Sequence, residues 1–289
     1  MMAQAGFGVQ PIIDPEVTEC LHHLNFNIGD SKKCVSGYEF IEKALQWWVS
    51  SKSNSINGLE FFKHRHLTHG SVQAFDSFYV RHKQRRFRIF PGEFTYHKVC
   101  FEAGFRYQLL DLQLPQLEEG DAFIISFPFS DSGSQHPLME AVLRQAESLR
   151  VPVLVDLAYL NLAANMHIEL DRPCIDMVTF SLSKAFYPLE KMRLGIRLMR
   201  QEWDDGINFF NQHNMVNHHS LQIATHLIQT FPVDHTYAKY RKKQEKFCNE
   251  MQLTVSDTVL FGLGGKGYEK YNRGNEWNRI CLSGLYENK

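Results

Sequence analysis

Between residues 70 and 200, short and almost unbroken apolar runs take turns with stretches whose apolar residues recur every three or four positions. "GSVQAFDSFYVRHK", "TYHKVCFEAG" and "HPLMEAVLRQAESLR" have the helical spacing, whereas "RFRIF", "FRYQLLDL", "DAFIISFPF", "VPVLVDLAY", "IDMVTFSLS" and "RLGIRLM" read as strands. Strands apolar on both sides need cover on both faces, and strand–helix–strand order makes neighbours parallel. The expected class is α/β: a mostly parallel sheet sandwiched by helices, spanning residues 55–200. After Arg200 the pattern changes to two helices, "HSLQIATHLIQTF" and "HTYAKYRKKQEKFCNEM", and short strands in "LTVSDTVLFGL" and "WNRICLSGL". With the amphipathic "GYEFIEKALQWW", these predict a small α+β domain completed from both termini, residues 1–54 and 201–289.

Charge and cysteine usage narrow the function classes. Thirty-one Lys and Arg stand against 32 Asp and Glu, a net charge of −1, so no bulk field draws the chain to nucleic acid or an anionic membrane. "RHKQRRFRIF" is basic and aromatic, but cations at a helix C-terminus explain it without a partner. The start lacks a basic segment followed by an apolar stretch, and no apolar run is long enough to span a bilayer. Six cysteines stand far apart without a CxxC, which predicts reduced thiols and a cytoplasmic protein. Fourteen histidines include "KHRHLTHG" and "NQHNMVNHHS", yet neither cluster carries an acidic or cysteine partner at ligand spacing, and no metal is assigned.

In open parallel sheets ligands bind beyond the carboxyl ends of the strands, so polar residues at strand ends are the candidates. Gly70, Ser71 and Val72 open a helix after a strand, where free N–H groups and the helix dipole favour an anion. Ser130 follows "DAFIISFPF"; Asp156 and Tyr159 close "VPVLVDLAY"; Ser181 and Lys184 close the next strand, with Arg193 nine residues beyond the lysine. A lone aspartate is commonly a cap and a lone lysine is commonly solvated. Their ordered convergence at strand ends favours chemistry.

The same residues resemble fold type I pyridoxal-phosphate enzymes of the class I/II aminotransferase family, in the histidinol-phosphate-aminotransferase-like branch. "DLAY", then "SLSK" with its lysine 28 residues after the aspartate, then "RLG", carry the resemblance with the glycine turn "LTHGSVQAF". It implies pyridoxal 5'-phosphate bound to Lys184 as a Schiff base. The phosphate would lie on Gly70, Ser71, Val72, Ser181 and Arg193, the ring nitrogen on Asp156, and the ring oxygen near Tyr159. "FPGEFTYHKVCFEAG" resembles the segment that supplies a stacking ring, which nominates Tyr96 and then Phe94. "WNRICLSG" nominates Arg279 for the substrate carboxylate, and "FNIGD" nominates Gly29 on the substrate side. Small-molecule partners, an amino acid or amine and a keto acid, and a homodimer follow from the resemblance.

This chain departs from that pattern in three ways. It is short, with the N-terminal arm and small domain trimmed. "FPFSDSG" places Ser130 where the family has an asparagine. "AFYPLEKMR" puts Arg193 one residue further from the lysine, with Tyr187 and Pro188 where glycine is expected. The expected activity is amino transfer; a lyase, decarboxylase or racemase shares the same shell, and a non-catalytic binding protein is the reading from another class.

Overall fold

The computed structural model describes residues 9–22, 24 and 36–287, without the side chains of residues 99–101. In chain order its elements are α1 (Pro15–His22), α2 (Gly37–Val49), β1 (Ser55–Asn57), β2 (His64–Thr68), α3 (Ser71–Arg81), β3 (Arg86–Ile89), α4 (Tyr96–Glu102) and β4 (Tyr107–Leu109). Then come β5 (Asp121–Ser126), α5 (Met139–Leu149), β6 (Val153–Asp156), β7 (His167–Glu169), β8 (Ile175–Ser181), α6 (Tyr187–Met192) and β9 (Gly195–Met199). The chain closes through α7 (Gly206–Gln212), α8 (His218–Thr230), α9 (His235–Glu250), β10 (Thr254–Val255), β11 (Phe261–Gly264), β12 (Asn278–Cys281) and α10 (Ser283–Tyr286).

A seven-stranded sheet in the order β2-β9-β8-β6-β5-β3-β4 carries the fold. All its neighbours are parallel except β9, which runs against both β2 and β8. Strand residues alternate between two cores. Ala122, Ile124 and Leu154 join Phe75, Phe78 and Tyr79 of α3 on one face, whereas Phe123, Ile125, Val153 and Val155 pack into the larger cluster on the other. This burial on both faces is why these strands read as continuous apolar runs.

The other elements wrap this sheet. α2, capped by Ser36 through the Glu39 N–H, packs on α8 and β2, and its Trp48 ring lies 4.4 Å from Phe180 of β8. β10, β11 and β12 form a separate antiparallel sheet beside α9. Among the described residues no helix is long and apolar enough to cross a membrane.

Register fixes where a ligand can sit. Ser126, Asp156 and Thr179 stand side by side across β5, β6 and β8, and Thr68, Gly195 and Ser181 do so across β2, β9 and β8. The carboxyl ends of β2, β5, β6 and β8 therefore reach one edge together.

Candidate active site

At that edge lies a cavity of about 210 Å3 whose walls include Ser71, Val72, Phe94, Ser130, Asp156, Tyr159, Ser181, Lys184 and Arg193. Sequence reasoning had picked these residues from segments as far apart as 71 and 193, and the fold brings them to one place.

One wall is the β2–α3 turn. Gly70 caps α3 at φ +72°, a conformation that L side chains resist, and offers no side chain to the first-turn N–H groups. A Cβ there would lie 2.5 Å from Arg193 Nη2, and one on Gly195 would lie 2.8 Å from the Gly70 Cα. The paired glycines thus let β9 and the Arg193 guanidinium close up beneath the helix start. Arg193 ends α6, has φ +55°, and donates to the His69 carbonyl at 3.4 Å. The extra residue between Lys184 and Arg193 is taken up in α6, with Pro188 in its first turn, and the arginine still reaches the cavity wall.

Asp156 lies at the end of β6, almost fully buried. Ser71 Oγ and the Ala158 N–H both donate to Oδ1, at 3.1 and 3.2 Å, and among the described residues nothing donates to Oδ2. Burial, and after it the nearby Glu93 carboxylate, push the Asp156 carboxyl up to about 7. Tyr159 is buried as well, and its hydroxyl is pushed up to about 12 chiefly by that burial. Ser130 Oγ is buried without a hydrogen-bond partner among the described residues.

Lys184 follows β8. Its ammonium donates to the Val9 carbonyl at 2.7 Å and to Glu190 Oε1 at 3.5 Å. Burial pulls its pKa below the usual lysine value, and the Glu190 carboxylate works against that. Ser181 and Ser183 join their hydroxyls, and the Ser183 N–H also donates to Ser181 Oγ.

Two nominated residues stand elsewhere, and a third lies outside the described residues. Tyr96 begins α4, its hydroxyl donates to Asp76 at 2.8 Å and it does not line the cavity, whereas Phe94, the second choice, does. Tyr96 packs instead against the core around Phe75. Arg279 lies on β12 behind the Ser130 wall, donating to the Ser130 carbonyl at 2.6 Å with its guanidinium 4.8 Å from the Phe261 ring centre. Gly29 lies outside the described residues.

No family model matches the chain, and no curated protein matches it. Solved structures do. Tyrosine aminotransferase from Leishmania infantum superposes with TM-score 0.63 at 14% identity, over 95% of this chain and 87% of its own. An aromatic aminotransferase from Pyrococcus horikoshii OT3 gives 0.56 at 14%, over 92% and 94%, and the PLP-bound C-S lyase from Staphylococcus hominis gives 0.61 at 11%, over 93% and 84%. The chain has the fold of the fold type I pyridoxal-phosphate enzymes. Within that fold the mostly parallel sheet and flanking helices stand as expected.

Several residues in and around the cavity carry no mark in the sequence analysis above. Ser126 ends β5 in register with Asp156, so the strand-end rule could have found it. Glu93 is fully buried beside it and accepts both the Ser126 N–H, at 2.6 Å, and the Ser126 hydroxyl, at 2.7 Å; burial raises its pKa. Arg273 donates to the Glu93 carbonyl at 2.9 Å and pairs with Asp131 at 3.5 Å. No local pattern marks these two. Glu190 lies in α6, whose first turn carries Pro188, a helix-start signal that could have marked it.

Proposed function

We propose that this chain is a pyridoxal-phosphate-dependent enzyme acting on amino acids or amines, and specifically an aminotransferase. The observation that carries the reading is the convergence of Lys184, Asp156, Ser181, Arg193 and the α3 N-terminus on one cavity. Its donors fit the group. The buried, unpartnered Ser130 hydroxyl, the unshared Asp156 Oδ2 and the side-chain-free cap at Gly70 are each complete only with a ligand that supplies partners.

When bound, pyridoxal phosphate supplies an aldehyde carbon for an amine and a cationic ring that accepts electrons from the substrate Cα. The α3 N–H groups, Ser181 and Arg193 hold the phosphate, the arginine by charge and the helix start by its dipole. Asp156, fixed through Oδ1 by Ser71 and Ala158, keeps Oδ2 for the protonated ring nitrogen. Tyr159 and Ser130 offer hydroxyls to the ring oxygen, and Phe94 supplies the aromatic wall. Lys184 would anchor the cofactor and, as a partly desolvated amine, would supply the base that takes up and returns a proton at its Nζ. Arg279 holds the substrate carboxylate once it exchanges the Ser130 carbonyl for it. A homodimer in the cytoplasm belongs to the same proposal, as does the division into a large domain and a two-part small one.

A second reading keeps the cofactor and changes the bond broken. It is favoured by the serine at position 130, where the resembled family has asparagine, and by the likeness to a C-S lyase. Incubating the purified enzyme with amino acids, with and without α-keto acids, separates the two. Amine transfer that needs the keto acid supports the aminotransferase; turnover of the amino acid alone selects the lyase, decarboxylase or racemase. Bound cofactor without any turnover selects a binding or regulatory protein.

A further inference from the structure

Glu190 stands in the cavity wall although no role above requires it. It lies in α6, six residues after Lys184 and three before Arg193, and it touches both. Its Oε1 is 3.5 Å from Lys184 Nζ, and its main-chain carbonyl accepts from Arg193 Nη1 at 3.5 Å. Its Oε2 lies 3.2 Å from Lys191 Nζ. Two cations thus flank one carboxylate, whose side chain is only 18% exposed, and a third touches the backbone of the same residue.

The other acceptor for Lys184 is the Val9 carbonyl, delivered by an arm that is itself anchored. Asp14 of this arm takes Lys239 Nζ at 2.7 Å and the Tyr240 hydroxyl at 3.0 Å. A peptide carbonyl can orient an ammonium but carries no charge to keep its proton on. Among the described residues, Glu190 is the one carboxylate hydrogen-bonded to the Lys184 amine.

We propose that Glu190 is a positioning residue for Lys184, holding its amine at the cavity wall by an ion pair and setting the pH at which that amine becomes free to react. The ion pair favours the ammonium, because an opposite charge within hydrogen-bond reach stabilises the charged form. Burial acts the other way, and so does Arg193 at the end of α6, while Cys281 on β12 adds to the effect of Glu190. Asp156 and Tyr159 face the same cavity from the end of β6 and beyond, and Lys191 competes for the second oxygen of Glu190. The consequence for the working site rests on the proposed function: a Lys184 released by substrate stays beside Glu190 rather than swinging into solvent, and Glu190 sets the pH above which its amine is free to take a proton.

The test needs no cofactor. The full chain, freed of carbonyl compounds with hydroxylamine, is labelled with trinitrobenzenesulfonate across a pH series, and Lys184 modification is followed by peptide mass spectrometry. In Glu190→Gln the midpoint for Lys184 falls by about one to three pH units relative to wild type, and labelling near neutral pH rises about tenfold or more. Exposed Lys43 keeps its profile in both proteins and serves as the internal control. An unchanged or raised Lys184 midpoint overturns the proposal. If Glu190→Gln unfolds, as judged by thermal melting, Glu190→Asp decides: its shorter carboxylate lengthens the pair, so the midpoint still falls, and one that stays put overturns the proposal. Failure of the cofactor reading appears separately, as absence of any borohydride-fixed band after pyridoxal phosphate is added, and leaves the labelling result intact.

Discussion

The cavity wall and the shell behind it are built differently. In the wall, each candidate group is delivered by the end of a strand or the start of a helix in the main sheet: Ser71 after β2, Asp156 on β6, Ser181 and Lys184 at β8, and Arg193 just before β9. Behind the Ser130 wall, Arg279, Arg273 and Asp131 are held by one another's chain segments, through the Ser130 and Glu93 carbonyls and a buried ion pair. One is preorganised by sheet register, and the other by tertiary contacts between β12, the loop before it and the loops after β3 and β5. Under the proposed function a rigid cofactor would suit the first, and the second carries Arg279, whose guanidinium donates to the Ser130 carbonyl.

Removing the central carboxylate of the register-built side gives the largest expected effect. Asp156→Asn should weaken pyridoxal phosphate binding by about 10- to 100-fold, the value of a charge-assisted hydrogen bond, measured by cofactor titration. The same substitution should change ligand-free stability in the opposite sense. With its carboxyl raised to about 7 from an ordinary 3.8, the folded chain holds a proton that the unfolded chain releases, so stability falls as pH rises through that window. Asp156→Asn removes this slope, and its Tm gains on wild type from about pH 4 to about pH 7. A gap that is flat with pH would show that Asp156 is not held neutral by its surroundings.

Next is Gly70→Ala, where left-handed backbone and the approach of Arg193 both act. It should cost about 1–2 kcal/mol in denaturant unfolding and weaken cofactor binding, because the guanidinium must retreat from the helix start. Phe94→Ala and Tyr96→Phe sharpen the comparison further. The first should weaken cofactor binding by about 0.5–1.5 kcal/mol, whereas the second, which removes the hydroxyl that donates to Asp76, should leave that binding unchanged. The smallest effect is on Ser130→Ala. Removing a buried hydroxyl without a partner should leave ligand-free stability equal or slightly higher, while cofactor affinity drops by about 1 kcal/mol.

The same contrast explains what could be read from the sequence. Strand ends are local features, and in a parallel sheet local features share an edge, so Asp156, Ser181 and Lys184 were legible together. The strand β5 was legible too, although it stops at Ser126 and not at the end of the apolar run. Phe94 and Tyr96 could not be separated because the choice depends on where α4 begins. Glu93 and Arg273 meet across 180 residues, and no spacing rule connects them. Arg279 was read from resemblance, and its resting partner, a carbonyl 149 residues away, is a product of tertiary packing alone.

The central claim is that Lys184 carries the cofactor. The most direct measurement is the absorbance spectrum of the purified chain with pyridoxal phosphate, before and after borohydride, followed by peptide mapping, with Lys184→Ala alongside. The account predicts a near-visible band in wild type that borohydride converts to a permanent adduct on the Lys184 peptide, and no such band or adduct in the variant. A wild-type spectrum without the band, or an adduct that maps to another lysine, would contradict it.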